Sequence, residues 1–146
     1  MARIEKDIYV NDAYLNLSDD DFKPMIRLTI KRKEKFFGPG VATLLHLIDE
    51  HGSIQSAAKY MNMSYSKAWK IIKRAEDELG FQLLVSKNGG VGGGSSEISQ
   101  KGRAFLNDYD SFAAEVKEYT ASVAEKYFKK INNTGEDVKN DSIGNA

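Results

Sequence analysis

Cysteine is absent from this chain of 146 residues, which excludes disulfides and thiolate-bound metals and fits a reducing compartment. Long apolar runs are absent too: none approaches the ~18–20 residues that a membrane span requires. The first 14 residues carry acids and hold no apolar stretch of signal-peptide length, so a cytoplasmic location is expected. Histidine occurs only as His46 and His51. Five positions apart on a helix, they stand about 140° apart and cannot share a metal without further ligands. His46 is read as a semi-buried packing residue. No paired carboxylates and no Ser–His spacing suggest catalysis, so the chain is expected not to be an enzyme and to need no cofactor.

Net charge is zero as well, which argues at first against a nucleic-acid partner. Its distribution argues the other way. Residues 1–23 carry 3 basic and 6 acidic side chains, net −3. Residues 24–103 carry 13 basic and 7 acidic, net +6, and residues 104–146 carry 5 basic and 8 acidic, net −3. A basic middle is flanked by acidic ends.

The acidic extension 1–23 reads as loosely packed, with a turn of helix or a short strand near 8–17. From Met25 to Lys31, Ile26, Leu28 and Ile30 alternate with Arg27, Thr29 and Lys31, the period of a half-buried strand. Arg32–Lys35 is charged enough to be its solvated end, and Phe36-Phe37-Gly38-Pro39-Gly40 breaks the pattern. Pro39 suits the start of a helix. Val41, Leu44, Leu45, Leu47 and Ile48 then form a helical stripe that stops before Gly52. Ser53 is a good N-cap for a short helix, Ile54–Met61, and Ser64 for a third, Tyr65–Leu79, ended by Gly80. Gln82–Ser86 and Ser96–Ile98 read as two strands of a hairpin. Ser99 caps a last helix from Gln100 to about Ile131, and residues 132–146 have almost nothing to bury.

The segment Ser53–Gly80 has the pattern of a helix-turn-helix. Ala57 and Ala58 let the second helix approach the third closely, and Ala68, Ile72, Ala75 and Leu79 form the third helix's inward stripe. Its other side carries Ser66, Lys67, Lys70, Lys73 and Arg74. Short polar groups and long cations on an N-terminal half are what a major groove accepts. Ser66, Lys67 and Lys70 are placed to reach base edges, and Ser64, Lys73 and Arg74 to meet phosphates; Ser53 and Gln55 flank them on the second helix. A merely solvated amphipathic face is the plainer alternative. Glu76-Asp77-Glu78 would repel DNA and should lie outside the groove. Trp69 is expected to pack against the first helix or the hairpin, while Tyr65 either joins the core or offers its hydroxyl to a phosphate.

Between the hairpin strands, Asn88–Gly94 holds five glycines in seven residues. A phosphate-cradling nucleotide loop needs Lys-Ser or Lys-Thr leading into a helix, whereas Gly94-Ser95-Ser96-Glu97 leads into a strand. The remaining readings are a wing tip lying against DNA, flanked by Lys87, Asn88, Ser95 and Ser96, or a plain flexible hairpin. On the last helix, Phe105, Tyr109, Phe112, Val116, Tyr119 and Val123 are spaced 4-3-4-3-4, a heptad-like seam. The seam serves either packing within the chain or, more simply for so long a helix, pairing with a second copy.

Several of these runs look like a known family. Phe36-Phe37-Gly38-Pro39, Gly52-Ser53-Ile54, Ala57-Ala58, Met63-Ser64-Tyr65-Ser66-Lys67-Ala68-Trp69 and Gly89–Gly94 resemble the N-terminal domain of ModE-type molybdate-responsive regulators. Ser53–Gly80 is similar, more broadly, to the helix-turn-helix of LysR-type regulators. The resemblance covers about residues 24–128. It implies a winged helix dimerised partly through the long helix, with operator binding as the activity. By position it implies DNA-facing roles for Ser64, Tyr65, Ser66, Lys67 and Lys70, with 88–96 as the wing. Full-length members add oxyanion-binding domains, in whose place this chain has a polar tail. A stand-alone form is therefore expected, with no small-molecule effector evident.

The expected fold is mainly α with a small β wing: a winged helix-turn-helix plus a long C-terminal dimerisation helix. Its parts are an extension 1–23, a DNA-binding domain 24–99, a dimerisation helix 100–131 and a tail 132–146. The expected function is sequence-specific transcriptional regulation, by a dimer bound to a two-fold operator on double-stranded DNA, with a link to molybdate or tungstate genes. The alternative is a winged-helix protein-interaction module without DNA binding.

Overall fold

The computed structural model describes residues 24–87 and 95–132, with side-chain surroundings through Phe128. The element expected near 8–17, Asn88 with the glycine loop, and the tail after Asn132 lie outside the described residues. Residues 27–113 form one compact unit; residues 24–26 and 114–132 belong to a second.

Leu28 and Ile30 are half-buried against the core while Arg27 and Thr29 are exposed, so burial alternates with the period seen in the sequence. Only Ile30–Lys31 (β1) is laddered, however. Its antiparallel partner is Lys35–Phe37 (β2), in register Ile30↔Phe37 and Lys31↔Lys35. A second strand thus sits where the sequence suggested a break. The apolar pair Phe36-Phe37 is buried, at 8% and 1% exposure, and draws the charged turn 32–34 into a hairpin.

The first helix, α1 (Pro39–His51), opens on Pro39 and closes on Gly52. Gly52 adopts φ 79°, a left-handed value suited to glycine, and its N–H reaches the Ile48 carbonyl. Helix α2 runs from Ile54 to Tyr60, one residue shorter than expected, and α3 spans Tyr65–Leu79 as expected. Between them Asn62 takes φ 56°, a conformation that asparagine tolerates better than most residues. Strands β3 (Leu84–Ser86) and β4 (Ser96–Ile98) pair antiparallel as the stem of the wing. The Ser96 N–H donates to the Gly52 carbonyl at 2.8 Å, fastening that stem to the α1–α2 junction. Helix α4 runs from Gln100 to Asn132. The result is a winged helix-turn-helix followed by a long helix, as expected.

Phe37, Leu44, Leu45, Ile48, Leu83 and Leu106 are almost fully buried at the centre. The start of α4 closes this core. Ser99 Oγ accepts from the Gly102 N–H at 2.8 Å and donates to the Gln82 carbonyl at 2.6 Å. Gly102 is required by a close approach, since a Cβ there would lie 2.5 Å from the Leu83 carbonyl oxygen.

The seam on α4 needs correcting. The Phe37 ring meets Phe105 edge-on at 4.8 Å and Tyr109 at 4.9 Å. Tyr109 is 2% exposed and donates its hydroxyl to the Leu28 carbonyl at 2.9 Å. Tyr109 lies in the chain's own core and Phe105, half-buried, packs against it, so this part of the seam faces the interior. The heptad spacing was real, but its first turns serve the interior. Phe112 and Tyr119 are exposed, Val116 and Val123 half-buried.

Candidate nucleic-acid interface

Helix α3 is held from below by a narrow stripe. Ala68, Ile72 and Ala75 are its buried residues, two of them alanines, which brings its backbone close to the Ala57 and Ala58 side of α2. Ser64 Oγ accepts from the Lys67 N–H at 3.1 Å, satisfying one of the four unpaired donors of the first turn. No acid stands in that turn, so the positive end of the helix dipole is uncompensated there. At the other end Gly80, with φ 80°, donates to the Glu76 carbonyl, and Arg32 from the β1–β2 turn donates to the Glu78 carbonyl at 3.1 Å.

Around that stripe, Tyr65, Ser66, Lys67, Lys70, Lys73 and Arg74 are all exposed. The structure therefore brings together on one convex surface the third-helix residues expected to meet DNA. Lys73, half-exposed, lies 3.8 Å from the largely buried Glu76, a long i,i+3 contact worth little energetically. Lys67, Lys70 and Arg74 make no ion pair among the described residues. Tyr65 joins the surface, not the core, at 55% exposure.

The remaining candidates divide. Gln55 is exposed, whereas Ser53 is half-buried, its Oγ accepting from the Ser56 N–H at 3.1 Å as the cap of α2. Lys87 and Ser95 are exposed at the end of the wing stem, where the Lys87 N–H donates to the Ser95 carbonyl at 3.2 Å. Ser96 is half-buried with its N–H bonded to Gly52. Asn88 is outside the described residues.

Three side chains depart from the expected reading. Trp69, expected to be packed inward, is 45% exposed on α3, and the buried residues of that helix are Ala68, Ile72 and Ala75. Glu76 is not a repelling acid at the helix end: its Oε2 accepts from the Leu83 N–H at 2.7 Å and the Leu84 N–H at 3.3 Å. The carboxylate clamps the wing stem to α3, and only its place one turn before a helix stop hinted at this. His46 is half-buried, but in a specific bond: its Nε2–H donates to the Asp110 carboxylate at 2.6 Å, tying α1 to α4.

Beside it, Arg103 on α4 makes two bonds to Asp49 on α1, at 2.6 and 3.1 Å. The Arg103 hydrogen bond holds the Asp49 carboxyl below its ordinary 3.8, against the opposing effect of partial burial; the charges of Arg103 and His46 act in the same direction as that bond. The Arg103 guanidinium is raised in turn. These contacts brace the support beneath α3. Among the described residues no group of three His, Cys, Asp or Glu is arranged to hold a metal, and no helix is long and apolar enough to cross a membrane.

Comparison with known proteins addresses the same segment. Residues 42–93 match the bacterial regulatory helix-turn-helix protein family of the lysR type. Transcriptional regulator ModE of Yersinia pestis is 34% identical over 90 residues, 60% of this chain and 34% of that protein. The DNA-binding transcriptional dual regulator ModE of Escherichia coli (strain K12) is 36% identical over the same length and shares. The molybdenum transport protein ModE of Azotobacter vinelandii is 30% identical over 97 residues, 66% of this chain and 34% of that protein. The chain spans about a third of the length of the curated relatives it matches. Among solved structures, a CbnR DBD–DNA complex aligns over 62% of this chain and 94% of that one, at 21% identity and a TM-score of 0.44.

Proposed function

We propose that this protein is a sequence-specific DNA-binding transcriptional regulator whose α3 enters the major groove while the wing meets the flanking backbone. One observation carries the reading: four cations, Lys67, Lys70, Lys73 and Arg74, stand exposed with Ser66 on a helix whose inner stripe is buried and whose wing is bolted alongside. Lys67 and Lys70, with Ser66, are assigned to base edges; Lys73, Arg74, Tyr65, Ser64, Gln55, Lys87 and Ser95 are assigned to the backbone. The matched relatives are named as transcriptional regulators, one as a molybdenum transport protein. That supports assigning the target genes to molybdate or tungstate handling.

The protein acts as a homodimer in this reading, with residues 24–99 binding DNA and the later part of α4 pairing. Phe112, Tyr119, Tyr127 and Phe128 leave 49–71% of their surface exposed, apolar area that a second helix would cover. Two-fold pairing sets two copies of α3 about 34–36 Å apart, or a multiple of that, on one DNA face. Selection of duplexes from a random library, followed by affinity measurement against salt, tests the proposal. Enrichment of a palindromic site, with affinity falling steeply on a log–log plot, is expected. No enrichment together with salt-independent binding would instead point to a protein-docking module.

A further inference from the structure

We propose that Trp69 is a specificity-determining residue: its exposed indole reads thymine C5-methyl groups in the major groove. The inference rests on the DNA-binding reading above. Trp69 is the chain's one tryptophan, and 45% of this large apolar surface is left exposed on α3. Tyr65, one turn earlier on the same flank, is 55% exposed. Lysines and the helix dipole attract phosphates, but neither distinguishes thymine from cytosine by its methyl group. An apolar plate beside them does.

The plate has a cationic neighbour. Lys73 Nζ sits 5.9 Å from the centre of the indole ring, within cation–π range. The same ammonium lies 3.8 Å from Glu76 Oε1, and Glu76 Oε2 accepts the Leu83 and Leu84 N–H groups of the wing root. Wing backbone, carboxylate, ammonium and ring thus form a continuous series of contacts. The indole is linked through Lys73 and Glu76 to the root of the wing.

Replacing thymidine by deoxyuridine removes the methyl and leaves every hydrogen-bonding group of the base. A duplex selected by the wild-type chain is remade with deoxyuridine and both forms are titrated against wild type, Trp69→Ala and Trp69→Gln, with thermal unfolding of each variant. Wild type is expected to bind the uracil form about fourfold more weakly for each methyl contacted. Both variants are expected to fold and to bind the two forms equally. Wild-type indifference to uracil, a thymine preference that persists in either variant, or loss of folding in both would overturn the assignment. Failure of the parent reading looks different: no duplex, with thymine or uracil, then shows salt-dependent affinity.

Discussion

Helices α1 and α3 have similar lengths and opposite duties. Seven of the thirteen residues of α1 are buried, against three of fifteen in α3. The first is surrounded by protein on most sides and braced to α4 through His46–Asp110 and Asp49–Arg103. The second buries only Ala68, Ile72 and Ala75, with Ile71 and Leu79 half-buried beside them. A helix that must present a surface keeps its own anchoring narrow, and its neighbour provides the rigidity. Stability and recognition are therefore separable by mutation.

The largest effect expected of that division is at Leu45, which is 0% exposed. Leu45→Ala should lower stability in urea unfolding by about 2–5 kcal/mol, with DNA affinity of the folded fraction unchanged. A comparable loss of affinity in fully folded protein would mean that α1 is more than a support. Lys70→Ala sits on the other side of the comparison. It should weaken binding to a selected duplex by about 1–3 kcal/mol with unfolding unaltered, and a small, uniform loss on all sequences would reassign Lys70 to phosphate. Ser64→Ala removes the cap of α3 and should reduce stability by about 1 kcal/mol, measured by thermal unfolding.

The smallest effect tests the brace. Asp49 is lowered in the folded state by Arg103, so its contribution is present above the ordinary 3.8 and disappears as pH falls through the lower folded value. The pair is 39% and 49% exposed, so solvent screening keeps its worth to about 1 kcal/mol or less. Asp49→Asn should remove that acid-side loss of stability. Equal pH profiles for variant and wild type below 3.8 would show the brace to be silent.

What the sequence made readable were the features written locally. Ser53, Ser64 and Gly80 punctuate helices through bonds to residues three or four away, so their positions emerged with little error. The basic face of α3 followed from helical period alone. Features that depend on distant partners were not readable. The Phe36-Phe37 pair becomes part of a strand only because Ile30 returns beside it. Gly102 is needed because the Leu83 carbonyl approaches it, and Glu76 is turned toward the wing stem by amides seven and eight residues on. Phe105 and Tyr109 keep heptad spacing, yet Phe37 claims them. Periodicity identifies a face and is silent on what covers it.

The Glu76 clamp has a consequence for the proposed DNA complex. The Glu76 carboxylate is one of the ties that fix the opening between α3 and the wing stem, with one end built into α3 and the other on two consecutive amides, and the Ser96–Gly52 bond is another. In the proposed complex, a duplex whose groove is too wide or too narrow for that gap loses one of the two points of contact, so DNA width is gauged along with base identity.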